Sequence, residues 1–293
     1  MTPANDNASP AGWEALCRRL DHIDNLPTLP AVALEVGQLL EDYDTPVEAV
    51  CETIEKDQAM VPRILKLVNS AFFGLRSNVS NISHAVVLLG FNTIRNAVVS
   101  VSVIRAMPGK KQLRGFDVTQ FWSHAVSVAV TSKHLAEKSH LHYAGDAFTA
   151  GLLHDVGKLV MFLYFRDLFS AIWSRAGREG CSFYEAEQRE GGITHAQVGA
   201  YMARRWQLPE RLADAIAFHH DVDQSAADLN LLLIVQAADT IANTAAVDDC
   251  PPDLLRFHPL AQEVMGNCLA DIAEWYPQTQ DEITSACRFF LDS

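Results

Sequence analysis

From about residue 31 to its end this chain repeats apolar residues at spacings of three and four, and nowhere does it sustain strict alternation or an Asn-Gly turn signal. Each segment then has a helical stripe to bury and no strand face, so the fold class it predicts is all-α. In the first part, "LPTLPAVALEVGQLL" reads as a Pro-bounded helix, and "DTPVEAVCETIEKD" places Thr45 as an N-cap ahead of Pro46 at the first helical position. "QAMVPRILKLVNSAFFG", "SHAVVLLG" and "NTIRNAVVSVSVIRAM" continue the pattern, with Pro62 starting or kinking its helix. "PGKKQLRGFD", residues 108–117, combines proline, two glycines and several basic residues and is the clearest boundary. Helices follow near 119–138, 146–165, 167–178, 183–190, 195–206, 209–220 and 229–244, with a final helical region over about 260–291. The expected organisation is a poorly ordered or peripheral N-terminus (1–19), a helical part (20–110), a second helical part (118–245) and a helical extension (246–293).

Composition narrows the function. With 49% hydrophobic and 20% charged residues over 293 positions, there is enough apolar material for a real core. The first dozen residues lack the basic start and apolar block of a secretory signal. The most apolar run, "AVVLLGFNTIRNAVVSVSVI", is interrupted by Asn92, Arg95 and Asn96, so neither export nor a membrane span is expected and the location predicted is cytoplasmic. Six cysteines without a CxxC pair fit free thiols in a reducing compartment better than disulfides or a thiolate zinc site. A net charge of −13 opposes binding to a phosphate backbone, so nucleic acid is not an expected partner.

"GLLHDVGKLV", residues 151–160, sets His154, Asp155 and Lys158 opposite the stripe Leu152, Val156, Leu159 and Leu163. Taken alone, this is equally a surface helix with its polar side in water. Gly151 and Gly157 argue for something more, because each costs about 1 kcal/mol relative to alanine in a helix, a cost easier to understand if another backbone must come close.

Other segments carry ionisable groups on apolar faces. His124 lies three after Phe121 and four before Val128; a core histidine bonded to a carbonyl is the simpler reading of it in isolation. His219 and His220 share a face with Leu212 and Ile216. Asp239 sits on the buried stripe of "LLLIVQAADTIAN" with no arginine within a helical turn, so it needs a cation or a proton. Thr194 is a plausible N-cap, which leaves His195 in a first turn able to receive an anionic oxygen. One cluster of divalent metal ions would coordinate His124, His154, Asp155, His195, His219, His220 and Asp239 together. Imidazoles with a few carboxylates and no thiolate suit iron, manganese, zinc or nickel.

The order H…HD…H…HH…D resembles the HD superfamily of metal-dependent phosphohydrolases, and in detail the histidine pattern of its HD-GYP branch. "LPTLPAVALEV", "ILKLVNSAFFG" with Asn69-Ser70, and "ISHAVVLLGFNTIRNAVVS" resemble the HDOD family, the HD-related output domains of bacterial signalling, over roughly residues 20–245. The resemblance implies an HD-domain-like helical bundle packed against an N-terminal helical subdomain, with a role in signal transduction. Its partner would be a signalling protein, a phosphorylated small molecule or a nucleotide. Carried across by motif, it implies one metal site from His124, His154, Asp155 and Asp239, and a second from His195, His219 and His220 with Asp155 as the bridge. Asp155 and Lys158 are then the candidate catalytic groups, Lys158 steadying a phosphate. The sequence departs from HD-GYP enzymes at "HHDVDQSAADL": Asp221 stands in place of glutamate and no Gly-Tyr-Pro loop follows, which argues against cyclic-di-GMP hydrolysis. Gln120 stands where three-metal relatives have glutamate, which argues against a third ion.

Overall fold

A computed structural model of the chain describes residues 10–24, 26–40, 42, 44–69, 78–107, 116–245 and 256–291. Among them the regular elements are helices and no strand is present. The first part comprises α1 (Pro10–Asp21), α2 (Ala31–Leu39), α3 (Val47–Glu55), α4 (Met60–Val68) and α5 (Ile82–Ala106). The second comprises α6 (Val118–Lys138), α7 (Ala144–Leu153), α8 (Val156–Tyr164), α9 (Arg166–Glu179), α10 (Phe183–Arg189), α11 (His195–Arg205), α12 (Glu210–Phe218) and α13 (Leu229–Ala245). Two more, α14 (Pro259–Ala270) and α15 (Ile272–Leu291), close the chain.

The 21-residue α6 is the axis of the second bundle, because its apolar residues lie all round it and need partners on every side. It packs against α7, α13, α14 and α15, while α8 and α12 both pack on α11. The first part joins through α5, which lies on α7 and gathers α2, α3 and α4 on its other side. One buried apolar core runs through both parts, from Leu16 to Phe290. Residues 10–21, inside the stretch expected to be poorly ordered or peripheral, form a helix that buries Leu16 and Leu20. Farther along, the Trp206 indole donates to the Pro27 carbonyl at 2.8 Å, so the N-terminal segment is tied to the end of α11.

α5 is long and apolar enough to cross a membrane, yet half of its most apolar window is buried within the protein. Two of the polar residues that interrupt it, Arg95 and Asn96, share a partner: Asp146 of α7, itself buried, accepts from Arg95 Nη2 at 3.1 Å and Asn96 Nδ2 at 2.7 Å, and from Arg211 Nε of α12 at 2.6 Å. A buried carboxylate is tolerable when several donors surround it. This one ties α5 to α7 and α12, the helices that lead into His154 and His219.

Three local expectations change. The single helix expected over 146–165 is two, because the chain turns at His154–Asp155 between α7 and α8. The turn sends both side chains inward, and His154 and Asp155 are buried, which removes the surface-helix reading of this stretch. The final helical region likewise divides at Asp271. Thr45 does not cap α3; its hydroxyl donates to the Leu39 carbonyl, and Pro46 takes the cap position. Pro62 falls in the first turn of α4, where its missing N–H costs nothing. The boundary segment's residues 108–115, and Ser70, Phe72 and Phe73, lie outside the described residues.

His134 of α6 stacks on Trp275 of α15 with ring centroids 4.5 Å apart, and its Nε2 is buried without a hydrogen-bond partner. Burial, with Lys138 and Lys133 adding to it, pulls the imidazole down to about 4 from an ordinary 6.5. Between those values the unfolded chain binds the extra proton, so this residue's contribution to stability is lost as pH falls from about 6.5 to 4. A His134→Phe variant keeps the stack and is expected to gain on the wild type across that interval. Parallel urea titrations at pH 7 and pH 4.5 check this, and an unchanged difference between the two proteins at both pH values would contradict it.

Candidate metal centre

Five helices and the turns beside them deliver the seven donors to one place. α6 carries His124; the α7–α8 turn carries His154 and Asp155; α11 opens on His195; α12 ends at Phe218, followed by His219 and His220; α13 carries Asp239. α11 begins where it does because Thr194 and Gln197 form a capping box, the hydroxyl accepting from the Gln197 amide while the Gln197 side chain accepts from the Thr194 amide. Close approach of α8 to α11 depends on the glycine expected to permit it. A Cβ on Gly157 would lie 1.9 Å from the His195 carbonyl oxygen and 2.7 Å from the Gly199 nitrogen. Gly151 is similarly pressed against α6, where a Cβ would meet the Val128 carbonyl oxygen at 2.9 Å.

Asp155 lies between two groups of donors. Its Oδ1 is 3.0 Å from His195 Nε2 and 3.8 Å from His219 Nε2, and its Oδ2 is 3.4 Å from His154 Nε2 and 3.8 Å from His124 Nε2. Asp239 Oδ1 faces the second group, 3.0 Å from His124 Nε2 and 3.5 Å from His154 Nε2. In the first group, His195 Nε2 is 3.4 Å from His219 Nε2 and 3.1 Å from His220 Nε2. Asp155, His195, His219 and His220 thus offer one set of mutually close ligand atoms, and His124, His154 and Asp155 another.

The far sides of the rings determine what the near sides present. His154 Nδ1 donates to the Gly151 carbonyl at 2.7 Å and His219 Nδ1 to the Ile216 carbonyl at 2.8 Å. A carbonyl only accepts, so in each neutral ring the proton is on Nδ1 and Nε2 carries a lone pair. His154 Nε2 and Asp155 Oδ1 are buried with no hydrogen-bond partner among the described residues. Lone pairs of several imidazoles and a carboxylate crowded into one buried volume repel each other unless a cation stands among them. This donor set fits divalent transition metal ions.

Without metal, protons do that work. Burial opposes charge on His154, but Asp155 and Asp239 outweigh it and raise the ring to about 10. Burial likewise opposes charge on Asp155, yet His154 and Lys158 hold it well below the ordinary carboxylate range. His219 goes the other way, lowered to about 3 by burial and by the His154 and His195 charges, and His220 is lowered too. Metal must displace the shared protons, so binding weakens in acid.

Lys158 is not a solvated side chain: its Nζ donates to Asp155 Oδ2 at 2.6 Å and lies 5.7 Å from the centre of the Phe183 ring. At the mouth are His124, Lys158 and His220, each partly exposed. Asp221 is not turned into the donor cluster; its carboxylate accepts from the Tyr184 hydroxyl, and the Tyr184 ring stacks on His220 at 4.2 Å.

The residue sequence reasoning missed is Glu187 of α10. It is buried, its Oε1 accepts from the His195 backbone N–H at 2.8 Å, and its Oε2 accepts from His195 Nδ1 at 2.7 Å. The first-turn amide of α11, read from sequence as a place for an anionic oxygen, is thus taken by this carboxylate. Nothing in "YEAEQRE" marks Glu187 out from the other two glutamates.

Comparison with known proteins gives consistent findings. A family model, HDOD domain, matches residues 26–222. An uncharacterized protein of Treponema pallidum is 28% identical over 214 residues, covering 73% of this chain; this chain spans 41% of that relative's length. The crystal structure of an HDOD domain protein of unknown function from Geobacter sulfurreducens superposes with a TM-score of 0.74 at 26% identity, covering 92% of this chain and 96% of that one. A candidate phosphohydrolase from Shewanella amazonensis superposes with a TM-score of 0.70 at 27% identity, covering 91% and 97%.

Proposed function

This chain belongs to the HDOD domain family, and on that premise we propose that it is a bacterial signal-transduction module whose His/Asp centre binds two divalent transition metal ions. The carrying observation is Asp155, with one carboxylate oxygen toward His195 and His219 and the other toward His154 and His124. One ion is assigned to Asp155, His195, His219 and His220, the other to His124, His154, Asp155 and Asp239. Iron, manganese, zinc and nickel are the metals this donor set favours. The helical first part and the metal-bearing second part together offer a surface for a partner protein, with the ions as a clamp or as the receptor for a phosphorylated small molecule.

A second reading, hydrolysis of a phosphoester, is favoured by Lys158. A cation fixed on the bridging carboxylate at the mouth of the site is placed to meet a phosphoryl oxygen. Bound divalent ions supply Lewis acidity toward such an oxygen and lower the pKa of water. Around them, Glu187 and the Gly151 and Ile216 carbonyls hold the rings that carry the ions, and the buried wall of α7 and α8 excludes bulk water. Asp221 paired to Tyr184, and no Gly-Tyr-Pro loop, count against cyclic-di-GMP as the substrate.

The test is the metal content of protein purified without air, by elemental analysis. It is combined with assays of a generic phosphodiester and of nucleotides, and with His154→Ala and His219→Ala as controls. Two ions per chain without turnover supports the regulatory module. Turnover that needs metal and is lost in both variants supports the hydrolase, and no metal in any of the proteins overturns both.

A further inference from the structure

Glu187 has a position that capping alone does not explain. Its side chain is fully shielded from solvent, and among the described residues the ionisable group within ion-pair distance of it is His195. A buried carboxylate is costly to keep charged, and with Lys158 acting on Glu187 only from beyond ion-pair distance, the cost is met mainly by the donors of His195. Its two oxygens take two different donors of one residue, the backbone N–H and the ring Nδ1–H of His195. The first fixes where α11 begins, and the second fixes which ring nitrogen holds the proton. Opposite them, His195 Nε2 is the most central donor of its group, within 3.4 Å of His219 Nε2, His220 Nε2 and Asp155 Oδ1.

Two other rings of the centre are held differently. His154 and His219 lean on neutral backbone carbonyls, whereas His195 leans on a charged group. A carboxylate accepting the Nδ1 proton pulls that proton outward and makes Nε2 a stronger donor, and it locks the ring in plane. We infer that Glu187 is a positioning residue that holds His195 as the Nδ1–H tautomer and thereby sets the metal affinity of the three-imidazole half of the centre. This inference rests on the metal reading above and adds an unequal pair of half-sites, the half backed by Glu187 being the tighter.

Glu187→Gln tests it with little change in volume. The amide oxygen keeps the bond from the His195 backbone N–H, and the amide NH2 then faces Nδ1. To accept from it, the ring must move its own proton to Nε2, which removes the lone pair a metal needs. Titration of metal-free protein with zinc is expected to show two ions bound by the wild type. In Glu187→Gln one ion is bound as before, and the other is weakened by about 10- to 100-fold. Glu187→Asp, which retains a carboxylate, restores part of that loss. A readout that needs no metal is the imidazole ¹⁵N spectrum of the metal-free protein at alkaline pH, with the His195 proton on Nδ1 in the wild type and on Nε2 in Glu187→Gln. If Glu187 only caps α11, Glu187→Gln changes thermal stability while both zinc affinities and the tautomer stay as in the wild type, and the inference is overturned. A wild type that binds no zinc overturns the metal reading instead, and the ¹⁵N spectrum still reports the tautomer.

Discussion

Asp155→Asn is expected to abolish metal binding at both halves of the centre at once, whereas His124→Ala or His220→Ala weakens one half. The asymmetry follows from geometry. Asp155 is the residue with an oxygen toward each group, Oδ1 at 3.0 Å from His195 Nε2 and Oδ2 at 3.4 Å from His154 Nε2. Asparagine has nearly the same shape but one oxygen, no negative charge, and an NH2 that must face either the imidazole lone pairs or Lys158. Losing the bridging charge leaves the three-imidazole half with no anionic ligand and the other half with Asp239 alone. An affinity loss of at least about 100-fold at each half is expected, at the upper end of what lost supporting partners alone produce. Asparagine is preferred to alanine because its oxygen can still accept from Lys158 Nζ, which lies 2.6 Å from Oδ2, and so avoids a buried ammonium without a partner. Elemental analysis and zinc titration of wild type and variant, with circular dichroism to confirm retained helices, read the result. One ion retained at wild-type affinity would show that Asp155 does not bridge.

The all-α fold and the placement of the site histidines and aspartates on apolar faces were legible because both rest on local patterns, whereas their meeting at one centre rested on the economy of a shared site and on the family resemblance. Apolar spacing reports helices, and a histidine or aspartate placed on an apolar stripe reports a buried polar group that needs a partner. Thr194 as a cap was legible for the same reason: its partner, Gln197, is one turn away. The break at His154–Asp155 was not, since Leu152, Val156 and Leu159 keep helical spacing straight through it. A turn that only reorients the axis leaves the periodicity intact. Glu187 was hidden for a different reason. Its partner His195 lies outside its own helix, and the surrounding charges of α10, such as Glu185 and Arg189, are exposed residues that make the whole segment look solvated. Asp146 was equally silent, its three donors coming from α5 and α12. Local pattern shows that a group is buried; only the tertiary arrangement shows which other group it meets.

Gly157→Ala is expected to lower stability by about 3 kcal/mol or more, and to remove metal binding with it, although alanine is the better helix former. The added methyl would sit 1.9 Å from the His195 carbonyl oxygen and 2.8 Å from its carbonyl carbon, and both belong to backbone that cannot rotate away. Side chains at an overpacked site move by changing rotamer, but here the crossing of α8 and α11 itself must open. That crossing is close from both sides, since a Cβ on Gly199 of α11 would come within 3.4 Å of the Gly157 nitrogen and 3.5 Å of Val156 Cγ1 on α8. Opening it shifts His195 relative to Asp155, two residues before Gly157, so the loss reaches the metal centre directly. For a chain of this size the stability term alone corresponds to a fall in Tm on the order of 5 °C. Gly177→Ala is the internal control: it lies in the last turn of α9 with nothing within 4 Å of the new methyl, and there alanine should gain about 0.5 kcal/mol. Thermal melts and zinc titrations of the two variants side by side separate the effects. The close-packing argument requires opposite signs in stability and a loss of metal in the first variant alone, and Gly157→Ala melting with the wild type while keeping two ions would refute it.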